Sequence, residues 1–302
     1  MSPLEGSAPP ADDITVLLVT YNSAAILPWS LEPLSRHPHV IVVDNASRDD
    51  TLPVVRRLLP QARVIEAGAN LGFGRANNLG LQAAATPLVL VLNPDCRVAD
   101  DALEALGHAA RRWPQAALLA PLLYDAPGRL GDSWRGVGGV PTPPQAERTP
   151  PDGDVSATFV TGAAMLVRRQ QVLPLGGFDP WFFLYHEDDE LCGRIRQAGL
   201  DIVVVADARA EHHTRSSSPS TFRTSWRRHY CMALSKLYML RKRQGGAWKR
   251  QAWLMGIGSF AVLPLHMLTL RRDRIGKHLA RVGAAAMAWR HLRRPHCFEP
   301  EN

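Results

Sequence analysis

Four consecutive acids, Glu187, Asp188, Asp189 and Glu190, follow an aromatic run, Phe178-Asp179-Pro180-Trp181-Phe182-Phe183-Leu184-Tyr185-His186. Carboxylates crowded together repel one another, and the repulsion raises the pKa of at least one of them. A carboxylate tuned upward is a better general base. The plainer reading is a helix start, because acids in a first turn suit the helix dipole and can cap it. Capping needs one acid or two, and this stretch offers four. Leu191, Ile195 and Ala198 continue as an apolar helical face, and Gly199 closes the helix where a left-handed residue is needed.

Further upstream, polar clusters repeatedly follow short apolar runs. Residues 14–19 (ITVLLV) lead into Thr20-Tyr21-Asn22-Ser23, and residues 40–43 (VIVV) into Asp44-Asn45-Ala46-Ser47. Residues 63–66 (RVIE) precede Asn70-Leu71-Gly72-Phe73-Gly74, and residues 88–92 (LVLVL) precede Asn93-Pro94-Asp95. Each run reads as a buried strand. Helical patterns fall between them: one begins at Asp49-Asp50-Thr51 with Leu52, Val55, Leu58 and Leu59 on its apolar face. Others cover about residues 75–85, carrying Asn77 and Asn78, and about 101–112. Strand and helix in alternation predict an α/β fold with a doubly wound, mostly parallel sheet. In such sheets ligands bind beyond the carboxyl ends of the strands, where these clusters lie. Asn, Asp and Gly make turns in any case, which accounts for one cluster better than for four in succession. Gly72 and Gly74 lack the third glycine of a dinucleotide fingerprint, and no phosphate-binding P-loop is present. Any phosphate is then expected to be held through a metal, with Asp95 the hard-oxygen ligand.

The remainder of this region is less regular. Residues 126–155, rich in Gly, Pro and charge, read as a long loop, either disordered or a lid that touches ligand through Trp134 and Arg135. Residues 159–167 read as a strand kinked at Gly162, and residues 202–205 as another. Residues 208–211 lead to His212-His213 and then Thr214-Arg215-Ser216-Ser217-Ser218. A lone histidine at a strand end is usually structural. Two followed by this polar run point to a phosphate or metal neighbourhood.

The chain has 302 residues and a net charge of +7, unevenly distributed. Residues 1–214 carry 25 acids against 17 bases, and residues 215–302 carry 3 against 18. A tail of net +15 on a body of net −8 points to a polyanionic partner, nucleic acid or an anionic membrane face. Residues 223–243 read as a helix with Trp226, Tyr230, Leu234, Leu237 and Leu240 on one side, broken at Gln244-Gly245-Gly246. Residues 252–270 hold 19 residues without Asp, Glu, Lys or Arg, flanked by Lys249, Arg250, Arg271, Arg272 and Arg274. That length reaches the lower end for spanning a bilayer, but Ser259, Pro264, His266 and two glycines dilute it. A membrane-surface or re-entrant helix, a span, and a soluble packing helix all stay open. Aromatics grouped with aliphatics argue against base stacking, hence against nucleic acid. The four cysteines have no metal-knuckle spacing, which fits a reducing compartment. The Pro-rich, acidic start is expected to be a short disordered tail. The expected organisation is a tail at 1–12, a catalytic domain at 13–218 and a basic helical extension at 219–302.

Taken together, TYNS at 20–23, VVDNASRDDT at 42–51, NLGFGRANNLG at 70–80, LNPD at 92–95, TGAAMLVRR at 161–169, GGFDPWFFLYHEDDELCGRIRQAG at 176–199 and HHTRSS at 212–217 resemble family 2 glycosyltransferases of the GT-A fold. They look most like the rhamnosyltransferase-like members of bacterial surface polysaccharide synthesis. The resemblance implies an inverting single displacement from a nucleotide-sugar, with rhamnose from a dTDP donor as first candidate. Asp44 would bond the pyrimidine base near Thr20, Tyr21, Asn22 and Asn45, and Asn70, Asn77 and Asn93 would line the nucleotide pocket. Asp95 and His212, with His213 the alternative, would hold Mg²⁺ or Mn²⁺, and Arg215 would meet the diphosphate. This chain places Asn93 where the family motif places its first aspartate, so one carboxylate is offered. Asp188 would be the general base with Glu187 its partner, while Asp189, Trp134 and Trp181 would face the acceptor or form a lid. The acceptor would be a glycan or a polyprenyl-linked glycan. With the basic tail, this implies an enzyme peripheral on the cytoplasmic face of the membrane.

Two other readings compete. A nucleotidyltransferase shares doubly wound topology, but would want a Gly- and Lys-rich loop early in the chain. Residues 14–30 contain no Gly, Lys or Arg. A nucleotide-sugar-binding membrane scaffold without turnover is compatible with the single carboxylate at 93–95. The acids at 187–190 speak against it.

Overall fold

The computed structural model describes residues 13–126, 128–136, 149–213, 221–268 and 272–292. The expected tail at 1–12 and Arg215 lie outside them. The chain forms two compact units. Met1–Asn70, Ala76–Phe178 and Leu191–Ser217 make the first, and Leu71–Arg75, Asp179–Glu190 and Ser218–Asn302 make the second.

The first unit is built on a sheet whose parallel half follows from the apolar runs. Strands β1 (Ile14–Thr20), β2 (Val40–Asp44) and β4 (Leu88–Leu92) are buried along their whole length, as strands covered on both faces must be. With β3 (Arg63–Glu66) they lie in the order β3-β2-β1-β4, all parallel. Thr20 is level with Asp44, and Asp44 with Glu66. The register therefore brings the polar residues at these strand ends to one edge of the sheet. Helices α1 (Leu27–Leu31), α2 (Thr51–Leu58) and α4 (Asp100–Arg112) pack on this half, and α3 (Phe73–Ala83) connects β3 to β4. A Cβ on Gly80 would sit 2.1 Å from Leu17 Cδ1, so glycine permits the close approach of α3 to β1.

Beyond β4 the sheet turns mixed. β10 (Ala164–Arg168) is antiparallel to β4 and to β6 (Ala116–Ala126). β11 (Asp201–His212) is parallel to β6 and antiparallel to β5 (Cys96–Val98) and β9 (Val155–Val160). Three sequence expectations change here. Residues 159–167 are two strands, β9 and β10, because the turn at Thr161-Gly162-Ala163 separates them rather than bending one. Residues 202–205 and 208–211 are one strand, carried across a register shift between Val205 and Arg209. The supposed loop at 126–155 contains β7 (Arg129–Leu130), which pairs with β6, and β8 (Trp134–Gly136), which pairs with β9. Backbone pairing to neighbours needs no side-chain periodicity, so neither strand showed in the pattern.

The second unit is helical. α7 (Phe222–Gln244) opens on a capping box between Thr221 and Thr224, and it stops where Gly245 takes φ +55°. Its apolar side, Tyr230, Leu234 and Leu237, joins Trp181, Phe182, Phe183 and the inner faces of the two last helices in one core. α8 (Ala247–Leu268) is one continuous helix through Pro264, and α9 (Arg272–His291) follows. α8 buries a stripe of Trp248, Ala252, Ser259 and His266, and Gly256 lets it approach Ala285 of α9. Its other sides expose apolar residues: Trp253 is 63%, Phe260 68% and Leu268 83% exposed. It is long and apolar enough to cross a membrane, with 17% of its most apolar window buried.

Candidate active site

At the edge shared by β1 and β2, Asp44 is buried and saturated with donors. Thr20 Oγ1 donates to its Oδ1 at 2.9 Å, Ser47 N to its Oδ2 at 2.9 Å, and Ser47 Oγ to its Oδ1 at 2.6 Å. The loop after β1 is locked to the loop after β2. Asn22 N donates to Ser47 Oγ at 2.9 Å, and Arg48 N to Asn22 Oδ1 at 2.8 Å. Ser23 N donates to Thr51 Oγ1 at 2.8 Å, and Ala24 N to Asp49 Oδ2 at 3.1 Å. Burial raises the Asp49 pKa, but donation from Thr51 and Ala24 outweighs it and holds the carboxyl below its ordinary value. Asn22 (φ +50°) and Ala46 (φ +61°) are left-handed, a conformation that non-glycine residues reach at a cost. The structure thus brings Thr20, Asn22 and Asp44 into one rigid net. Tyr21 and the buried Asn45 flank it, with Asn45 N donating to Thr20 O at 2.8 Å. Ser47 of the strand-end cluster, and Asp49 and Thr51, which the sequence assigns only to a helix start, are also members of this net.

Asn93 begins the turn after β4, with its N–H donating to Ala163 O at 2.8 Å. Two residues on, Asp95 is buried, and His212 Nε2 lies 3.4 Å from its Oδ1. Antiparallel pairing of β5 with β11 sets His212 opposite Cys96. The ligand atoms of Asp95, Cys96 and His212 lie within 4.8 Å of one another, so the three could hold a metal. Burial, then the neighbouring Asp95, push the Cys96 thiol well above its ordinary pKa, which disfavours a thiolate ligand. The remaining pair, one carboxylate oxygen and one imidazole nitrogen, offers donors that suit a divalent cation. His213 takes a separate place, its ring stacked on Trp29 at 3.9 Å and 14°. The doublet left open by the sequence is thereby divided.

Asn70 is half-buried after β3, and Asn77 is fully buried on α3. Its neighbour Asn78, given no site role from the sequence, makes paired bonds with the Phe178 backbone: Nδ2 donates to Phe178 O at 2.7 Å and Phe178 N to Oδ1 at 2.8 Å. Asn78 Oδ1 also lies 2.4 Å from where a Cβ on Gly177 (φ +62°) would be. Trp134 sits half-buried on β8, opposite Val160.

The acidic stretch forms the first turn of α6 (Glu187–Gln197). Tyr185 (φ +70°) and His186 (φ +69°) precede it, two successive left-handed residues that are neither glycine nor asparagine. Each such residue costs of order 1–3 kcal/mol, and strain of this kind collects at functional sites. Asp188 Oδ1 accepts from Asp189 N at 2.8 Å. Glu187 is buried, and its Oε2 has no hydrogen-bond partner among the described residues. Burial, then the neighbouring Asp188, push its pKa up to about 8. His186 is lowered, first by burial, then by Lys236 and Arg243 against the pull of Asp188 and Asp189. The helix ends at Gly199 (φ +72°), as expected. Trp181 is buried in the second unit with its ring stacked on Tyr238 at 3.7 Å.

Residues 15–171 match the family model described as glycosyl transferase family 2. The N-acetylglucosaminyl-diphospho-decaprenol L-rhamnosyltransferase of Mycobacterium tuberculosis is 32% identical over 299 residues, covering 87% of this chain and 96% of its own. Rhamnosyltransferase WbbL of Escherichia coli is 25% identical over 257 residues, covering 76% and 94%. Among solved structures, GalNAc-T7 with UDP, GalNAc and Mn²⁺ aligns with a TM-score of 0.60 at 15% identity, covering 91% of this chain and 57% of that one. Mannosyltransferase PcManGT from Pyrobaculum calidifontis, with GDP-Man and Mn²⁺, aligns with a TM-score of 0.56 at 17% identity, covering 95% and 90%. Both share the mixed α/β fold. With a family model matched over half its length and a relative at this identity across nearly all of it, the chain belongs to glycosyl transferase family 2 and is a glycosyltransferase.

Proposed function

We propose that this glycosyltransferase moves a deoxyhexose, rhamnose from a dTDP donor, onto a hydroxyl of a polyprenyl-diphosphate-linked glycan, by single displacement with inversion. The observation that carries the donor side is the Asp44 net, a buried carboxylate fixed by Thr20 and Ser47 at a strand end. A rigid acceptor of this kind suits the N–H edge of a pyrimidine base, with Tyr21, Asn22, Asn45, Asn70, Asn77 and Asn93 around the nucleotide. Asp95 and His212 would hold a divalent cation, whose chemistry is charge neutralisation at the leaving group. Asp188 takes the proton from the acceptor hydroxyl as that oxygen attacks the anomeric carbon. Single displacement needs one base and no protein nucleophile. Glu187, held towards its neutral form by burial, limits repulsion within the turn.

The rhamnosyl and lipid-linked parts of this reading come from the relative in M. tuberculosis and from α8. That helix packs through one stripe and exposes Trp253, Leu254, Ile257, Phe260, Leu265 and Leu268 on its other sides, behind Lys249 and Arg250. Apolar side chains beside cations suit an anionic lipid surface, where a polyprenyl acceptor resides. The test is a transfer assay with the full chain, a set of nucleotide-sugars and a short-chain prenyl-diphosphate-GlcNAc acceptor. Turnover with dTDP-rhamnose above the other donors is expected. Efficient transfer from a different donor, with none from dTDP-rhamnose, would reject the sugar assignment.

A further inference from the structure

Within the second unit, the end of α7 grips the acidic turn. Lys242 Nζ donates to Asp179 Oδ2 at 2.7 Å and to Glu190 Oε1 at 2.5 Å. The Tyr238 hydroxyl, one turn earlier, donates to Asp179 Oδ2 at 3.3 Å, while its ring stacks on Trp181. Arg243 Nη2 donates to both the carbonyl and Oδ1 of Asp189 at 3.3 Å. Glu190 is buried at 5% exposure, so this is not the solvated surface pair that contributes little. A buried carboxylate stripped of its cation is strongly unfavourable. Burial pulls the Lys242 pKa down, but the bonds it donates to Asp179 and Glu190 outweigh that and raise it, so the ammonium persists across the working range.

The groups facing the turn can be named. Glu187, Asp189 and Glu190 are on α6 itself, with Tyr185 and His186 just before it and Asp179 beyond the aromatic run. Arg228, Lys236, Tyr238, Lys242 and Arg243 come from α7. We propose that Lys242, with Arg243 beside it, is a positioning residue of the transfer reaction: it neutralises Glu190 and Asp179, fixes the first turn of α6, and sets the charge that Asp188 meets. The inference rests on the reading of Asp188 as base. It also gives the basic tail a role in the reaction besides any contact with lipid.

Without Lys242, Asp179 and Glu190 would lose the cation they share, and like charges raise a neighbour's pKa. The experiment is the pH dependence of transfer by the full-length enzyme carrying Lys242→Met, Lys242→Arg or Glu190→Gln, with donor affinity and melting temperature measured alongside. Lys242→Met should move the acidic limb of kcat upward by about one pH unit, a roughly tenfold loss on that limb, at unchanged donor affinity. Lys242→Arg should recover most of that shift, and Glu190→Gln should move the limb down. A limb that stays in place in Lys242→Met while the melting temperature falls would reduce the contact to packing and overturn the proposal. If Lys242→Met does not fold, Glu190→Gln decides alone, and a limb that does not move down overturns it. Asp188→Asn separates the two readings. Retained transfer there removes the base assignment, whereas lost transfer with unmoved limbs in the other variants removes only the role of Lys242.

Discussion

Asp44 and Glu187 are both buried carboxylates, and their surroundings treat them in opposite ways. Asp44 accepts three hydrogen bonds from Thr20 and Ser47, which fix its two oxygens in place. Glu187 leaves one oxygen without a hydrogen-bond partner among the described residues and has an ionised neighbour, which favour the neutral form. The first arrangement suits holding a ligand in a fixed pose. The second suits a turn where protons are exchanged, and the left-handed backbone at Tyr185 and His186 is found there too. On the proposed reading, the difference is that between holding a donor and moving a proton.

Asp188→Asn is the harshest way to break this contrast. It should lower kcat by about a thousandfold while donor affinity, measured by calorimetry, stays at the wild-type value. A parallel loss of both would put Asp188 in donor recognition instead. Asp95→Ala should weaken donor binding in Mn²⁺ by roughly ten- to a hundredfold and abolish the difference between Mn²⁺ and EDTA. Equal affinity of the wild type with and without the metal would remove Asp95 and His212 from that role.

Glu187→Gln sharpens the comparison through stability. The folded-state pKa is raised from 4.5 to about 8, so the folded form keeps a proton that the unfolded chain releases. The favourable contribution is complete below pH 4.5 and fades as pH rises through about 8. Urea unfolding should show the wild type losing stability between pH 5 and 8 relative to the glutamine variant, by at most a few kcal/mol. Parallel pH curves for the two proteins would show that Glu187 is ionised when folded. The smallest effect concerns α8. Trp253→Ser with Phe260→Ser should reduce co-sedimentation with anionic vesicles by about tenfold and leave soluble-acceptor turnover intact. Unchanged sedimentation would reject that face as the lipid contact.

Much of the recognition half could be read from the sequence because it is local. Runs such as VIVV at 40–43 announce buried strands, and polar residues directly after them fall at the sheet edge by topology. Asp44 and Thr20 needed only their strands to be placed side by side. The strands β5, β7 and β8 span three residues at most, and only their partners make them strands. The resemblance puts His212 ahead of His213 at the metal, but nothing local in the sequence separates the two. In the structure the first reaches Asp95 and the second stacks on Trp29. Lys242 was out of reach for a simpler reason: it stands 52 residues from Glu190, and nothing local connects them. The family match itself ends at residue 171, before the acidic turn. The chemistry proposed for that turn therefore rests on its own residues.

The claim that one base and no covalent intermediate suffice is tested most directly by the stereochemistry of the product. Proton NMR of the newly formed linkage, made with a donor of known anomeric configuration, should show the opposite configuration. Retention of the donor's configuration would contradict single displacement and require a protein nucleophile.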